Sequence, residues 1–330
     1  MTGGSDRTLA DADVSRRRAR LTRLATIATA VLFVLTAAGG SLAQQLYKYR
    51  GPDGEWVFTD RDPGAERDTE VRALSRGQPD PRVALYHEVV DTEIQIFGRN
   101  EFHAPVEVAV AIEESRQVDV PADQPRRFVL PPRTNNLMLR FSIVQGAEDP
   151  SVSYRYRYLL GDPEARHRPD QPYRAPYAVA ATHTVSQAFP NTMTHNTPDS
   201  AHAVDISMPV GTDIHAARGG VVVDVASTNF ADSLVPDGAE ANIVRILHDD
   251  GTFGIYAHLN WNGIRVQPGD VVERGQYIAD SGNTGFSTGP HLHFVVVRNA
   301  GMRTLSVPVV FEGANGAAVT PQLGLDLSAY

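Results

Sequence analysis

The sequence contains no cysteine. A disulfide framework, a thiolate metal site and a cysteine nucleophile are therefore excluded, and any metal centre must be built from histidine and carboxylate. Helical periodicity is nearly absent too. Apolar runs are of strand length and are broken up by 27 Gly and 22 Pro, which predicts a mainly β protein. Positive charge is in short supply, with 30 Lys and Arg against 39 Asp and Glu. A formal charge of −9 argues against nucleic acid as a partner, because phosphate binding needs clustered cations. Long apolar runs are missing except for one, at residues 24–38.

That run follows Arg16, Arg17, Arg18, Arg20 and Arg23 and precedes Ser41, Leu42 and Ala43. A basic stretch, an apolar stretch and small residues, in this order, predict a secretory signal over 1–43 and an exported protein of the periplasm or cell envelope. Cleavage is the preferred expectation; a retained membrane anchor is the alternative. Loss of 1–43 would remove six Arg and three Asp, moving the formal charge from −9 to −12.

The 330 residues suffice for about two folded domains. Residues 44–66 carry aromatic-rich segments around Gly51, Pro52, Asp53 and Gly54, which predicts a β-hairpin unit, and 67–81 read as a polar linker. The hairpin resembles a short uncharacterised domain found after the signal peptide of secreted proteobacterial proteins. Regularly spaced apolar runs over 82–162 predict a β-sandwich. Within it Tyr154, Tyr156 and Tyr158 alternate with Arg155 and Arg157, the mark of a half-buried strand in preference to a sugar-stacking face. A Pro-rich linker is expected at 163–178 and an antiparallel β-sheet domain at 179–330.

The chemistry concentrates in SGNTGFSTGPHLHF, residues 281–294. On a strand, successive side chains face opposite sides, so His291 and His293 share a face. Asp205 stands in an otherwise apolar strand, and a buried carboxylate is costly unless paired or bound to metal. His258 ends another strand-like run. A catalytic zinc typically takes three protein ligands, a count that Asp205 and two histidines would meet.

These segments resemble the lysostaphin-type (LytM-like) zinc metalloendopeptidases, which cleave peptide bonds in bacterial peptidoglycan. Residues 209–222, 251–259 and 266–285 share the likeness, which covers about 175–312. The resemblance implies Zn2+ held by Asp205 and His293, with His258 and His291 unligated and acting on the reaction. The family's pattern runs His-x-x-x-Asp, but position 201 is Ala. The first metal ligand is then His195, preferred, or His202, which strand alternation would turn to the opposite face. Asp199 reads as a solvated turn residue. His87, His103, His167, His183, His215 and His248 read as structural or surface residues. Residues 227–241 form a candidate wall or lid, or a plain surface loop.

The expectation is an exported zinc endopeptidase acting on stem or cross-link peptides of peptidoglycan. The alternative is a non-catalytic relative that binds and activates other cell-wall hydrolases, a reading that the displaced first histidine favours. A third reading gives the biological contact to the sandwich.

Overall fold

A computed structural model describes residues 44–50, 56–59, 70–74, 82–122, 126–191, 193–233 and 240–330. The expected signal segment lies outside them, as does the centre of loop 227–241. No helix among the described residues is long and apolar enough to cross a membrane. Their regular structure is strand throughout, apart from one 3-10 turn at Ala314–Gly316.

The chain divides into two compact units. The smaller holds β1 (Gln44–Arg50), β2 (Trp56–Thr59) and β3 (Glu70–Leu74), an antiparallel sheet with β1 at its centre. The hairpin is β1 and β2, and residues read as linker supply the third strand: Val71 pairs with Tyr47.

The larger unit begins with a sandwich. One sheet joins β4 (Val83–Val90), β5 (Glu93–Asn100), β9 (Thr134–Ile143) and β7 (Val118–Asp119); the other joins β10 (Ser151–Leu160), β6 (Val106–Arg116) and β8 (Arg126–Leu130). Inward residues of both sheets, Ile94, Ile96, Val108, Val110 and Phe141 among them, form one core. Tyr154 and Tyr156 belong to it, and the Tyr156 hydroxyl donates to the Val83 carbonyl at 3.1 Å. These two tyrosines therefore serve packing, and Arg155 turns outward to pair with Glu113.

After the sandwich comes a nine-stranded sheet. Its strands are β11 (Thr182–Gln187), β12 (Val204–Ser207), β14 (Gly220–Ala226), β16 (Ile243–Leu247), β17 (Phe253–Ala257), β19 (Val271–Val272), β22 (His291–Asn299), β23 (Thr304–Ser306) and β26 (Asp326–Ser328), in the order β19-β14-β16-β17-β22-β12-β11-β26 with β23 on β22. Short pairs complete the unit: β13 (Asp213–His215) and β18 (Leu259–Ile264) flank β20 (Tyr277–Ser281), β15 (Asp232–Ser233) pairs with β21 (Gly285–Phe286), and β24 (Phe311–Glu312) with β25 (Ala318–Val319).

Strand alternation divides β22 between two cores. Leu292, Phe294 and Val296 enter the main core with Ile206, Val244, Ile246 and Tyr256. His291, His293, Val295 and Val297 face the other way, and there Val295 and Val297 meet Phe253, Ile255, Val223 and Ala203 together with Ala104 and Leu160 of the sandwich. One face of the sheet thus carries the histidines at one end and is covered by the sandwich at the other. The contact is also polar. Glu107, 2% exposed, accepts from Asn299 Nδ2 at 2.8 Å and from the Met302 N–H at 2.7 Å, while Arg82 pairs with Asp224 at 2.9 Å.

Residues 163–178 depart from the linker reading. Tyr173, Ala175 and Tyr177 are buried in the main core; Tyr173 bridges to Phe311 and Tyr177 to Ile214. Burying a large aromatic side chain contributes on the order of 2 kcal/mol, enough to anchor a Pro-rich segment that makes no strand of its own.

Candidate metal centre and active site

Three neighbouring strands place the acidic and basic groups in one row. Asp205 on β12 pairs with His293 on β22, and His293 pairs with Ala257 on β17, whose next residue is His258. His293 Nδ1 lies 2.9 Å from Asp205 Oδ1, and His195 Nε2 lies 3.2 Å from Asp205 Oδ2. One ligand atom from each of His195, Asp205 and His293 lies within 4.8 Å of the other two. All three side chains are buried, at 4%, 8% and 3% exposure.

His195 comes from the loop between β11 and β12, and several bonds hold that loop. Thr197 Oγ1 and Ser200 Oγ are 2.6 Å apart, the Ser200 and Ala201 N–H groups both donate to the Thr197 carbonyl, and the Pro198 carbonyl accepts from the N–H and Oγ of Ser306 on β23. Asp199 sits in this turn. The resulting fold brings back a histidine ten positions before Asp205. His202 instead packs its ring on Phe189, centroids 4.8 Å apart, and lies outside the cluster.

His258 and His291 stand beside the triad, ring centroids 4.6 Å apart. His258 Nδ1 lies 2.7 Å from the Thr284 carbonyl and His291 Nδ1 lies 2.8 Å from the Gly289 carbonyl. A carbonyl only accepts, so each neutral ring carries its proton on Nδ1 and its lone pair on Nε2. His291 Nε2 is 3.8 Å from Asp205 Oδ1. His258 has φ 61°, in the left-handed region, a cost of about 1–3 kcal/mol that turns the residue out of β17's alternation. The Gly-rich loop explains the Thr284 contact: a Cβ on Gly282 would lie 2.6 Å from the Asn260 backbone, and one on Gly285 would lie 2.7 Å from Ala241. No other residue allows the loop to close so tightly on β18.

The electrostatics follow from burial and proximity. Burial works against ionisation of Asp205, but hydrogen bonds from His195 and His293 outweigh it and hold the carboxyl well below its usual range. Burial lowers His293 against the pull of Asp205. Burial, then the neighbouring His291 and His293, lowers His258 to about 3. An ionised Asp205 thus faces a His293 and a His258 that burial keeps neutral, the protonation state that metal ligation needs.

Gln187 was not foreseen from the sequence, although it touches both His195 and Asp205. Its strand, β11, lacks the apolar content that marks the other strands, and only the Val185–Gln187 alternation signals an inward side chain. Among the other histidines, His248 Nδ1 donates to the Gly219 carbonyl and His215 Nδ1 to the Gly275 carbonyl, while His167 Nε2 lies 3.1 Å from the Tyr173 hydroxyl, all away from the triad.

An antiparallel β-sheet domain thus carries a His-Asp-His cluster able to hold a metal ion, with two further histidines beside it. Residues 199–304 match the model of Peptidase family M23. The family match begins after His195. The chain is 33% identical over 127 residues to lysostaphin of Staphylococcus simulans, covering 36% of this chain and 24% of that protein. It is 38% identical over 96 residues to the peptidoglycan DD-endopeptidase ShyA of Vibrio cholerae, covering 29% and 20%. The solved catalytic domain of S. simulans lysostaphin aligns with TM-score 0.26 and 28% identity over 38% of this chain and 77% of that one. The chain thus spans a quarter or less of the length of these two curated relatives.

Proposed function

We propose that this protein is an exported zinc-dependent endopeptidase that hydrolyses peptide bonds in the stem or cross-link peptides of bacterial peptidoglycan. The observation that carries the reading is the convergence of one ligand atom each from His195, Asp205 and His293 within 4.8 Å, backed by two further histidines. The donor set fits zinc: two imidazoles and one carboxylate, all buried. When bound, zinc supplies a Lewis acid and makes water a competent nucleophile near neutral pH.

The chain's own residues supply the rest. His258 and His291 present Nε2 lone pairs, held by carbonyls at Nδ1, so either ring takes a proton from the attacking water without first reorienting. Once protonated, the same Nε2 donates to the oxyanion or to the leaving amine. Burial keeps His258 neutral, so its Nε2 accepts a hydrogen bond from the attacking water, although the same burial makes the ring a weak base. The peptidoglycan substrate rests on the relatives named above. Export rests on the order of charges and apolar residues in 1–43.

Zinc content of the purified chain, together with mass spectrometry of products from cross-linked peptidoglycan, tests the reading. One zinc per chain and released peptides cut at a peptide bond are expected. Binding to peptidoglycan with neither metal nor cleavage would overturn it in favour of a regulator of other hydrolases.

A further inference from the structure

We infer that Gln187 is a positioning residue that clips the His195 loop to Asp205 and thereby assembles the metal site; the inference rests on the zinc reading above. Nothing local in the sequence holds His195 near Asp205, since ten positions and a turn separate them. The clip comes from the neighbouring strand.

A register shift makes it possible. Val185 on β11 pairs with Ile206, and both lie in the main core. Plain alternation would keep Gln187 on that same core face. Between Val185 and Gln187 the pairing slips by one residue, so that Gln187 stands opposite Asp205, on the histidine side of the sheet. Bulges of this kind re-aim a side chain beside a site. Gln187 is 7% exposed.

Both ends of the amide are used. Oε1 accepts from the backbone N–H of Met193 at 2.5 Å and of Thr194 at 3.0 Å, the two residues before His195. Those contacts require an oxygen, which fixes the amide's orientation. Nε2 then faces Asp205 Oδ2 at 2.8 Å, Thr194 Oγ1 at 2.8 Å and His195 Nε2 at 2.9 Å. Two N–H groups thus face the two oxygens and the His195 ring nitrogen, which itself donates to Asp205 while no metal is bound. If metal takes the His195 lone pair, the two hydrogens match the two oxygens that remain. Donation to Oδ2 would also leave Oδ1, the atom nearer His293, as the ligating oxygen.

The rings themselves have no other support of this kind. Metal-binding histidines usually have their second nitrogen held by an acceptor, but His195 Nδ1 and His293 Nε2 are buried without a hydrogen-bond partner. Orientation of His195 therefore falls to its backbone, through residues 193 and 194, and so to Gln187.

The test uses the full chain and its Gln187→Met and Gln187→Ala variants. Zinc affinity is read by competition with a chromophoric chelator, site geometry by the visible absorption of the Co2+-loaded chain, and integrity of the fold by the thermal midpoint in chelator. We expect zinc affinity to fall roughly 10- to 100-fold in both variants. The Co2+ band should change in intensity as Asp205 gains freedom to bind through both oxygens, while the metal-free chain still unfolds cooperatively at a midpoint lowered by the loss of the amide's buried hydrogen bonds. Gln187→Met keeps side-chain volume and decides the matter if the alanine variant unfolds. Wild-type affinity and an unchanged Co2+ band in Gln187→Met would overturn the clip. An unaltered chain that takes up no zinc would overturn the metal reading itself, and the clip with it.

Discussion

Acidification should weaken this fold through a residue far from the proposed chemistry, His248. Its ring is 3% exposed, with Nδ1 2.9 Å from the Gly219 carbonyl and Nε2 buried without a partner. Nε2 faces Gly254, where even a Cβ would come within 2.9 Å, so a second ring proton finds no acceptor. Burial accordingly lowers His248 to about 4 from an ordinary 6.5. The folded pKa is the lower one, so the unfolded chain binds the proton first. Stability from this group is complete above about pH 6.5, declines as pH falls and is fully lost below about 4. The gap is worth about 3 kcal/mol at roughly 1.4 kcal/mol per pH unit. Urea unfolding of the metal-free chain at about pH 7 and about pH 4 measures it, compared with His248→Asn, whose Nδ2 still reaches the Gly219 carbonyl. The variant carries a constant packing defect at both values, but it should lose about 3 kcal/mol less than the wild type across the interval. Equal losses in the two chains would refute the argument.

Three further outcomes are expected. His195→Ala should abolish stoichiometric zinc binding while His202→Ala leaves it intact, measured as metal content after dialysis; the reverse pattern would reassign the first ligand. His258→Ala and His291→Ala should each keep zinc yet lower peptidoglycan turnover by roughly 10²- to 10⁴-fold, the usual reach of a general acid or base. Glu107→Ala deprives the Asn299 side chain and the Met302 N–H of a charged acceptor, at about 1.5–3 kcal/mol for a bond of this kind. Its thermal midpoint should fall by about 5–10 °C, and an unchanged midpoint would show that the sandwich contact carries no stability.

The β class was legible because apolar runs of strand length leave little room for other structure, and the second half of SGNTGFSTGPHLHF was legible because period 2 fixes which side chains share a face. The row Asp205–His293–Ala257 adds what periodicity alone does not contain, namely which strands are neighbours. The same gap explains the misreadings. Residues 163–178 look like a linker in a local window, yet Tyr173 and Tyr177 find partners at Phe311 and Ile214, more than thirty positions away in each case. Residues 70–74, EVRAL, are a short alternating stretch in polar surroundings that read as linker, and they still complete a sheet by backbone pairing with β1. Gln187 was out of reach because its position depends on a one-residue slip that no side-chain pattern marks.

That slip bears on how the displaced histidine is tolerated. A local His-x-x-x-Asp spacing would let a short stretch of backbone set the distance between two ligands. Here the distance is set across a sheet instead: β11 pairs with β12, Ser306 on β23 pins Pro198, and the Gln187 amide joins residues 193 and 194 to Asp205. Ligand geometry then depends on strand register more than on loop length. An insertion at Asn196, ahead of the Thr197 and Pro198 anchors, should cost less metal affinity than any change that moves β11 by one residue against β12, because a slip of one turns every side chain on the strand to the other face.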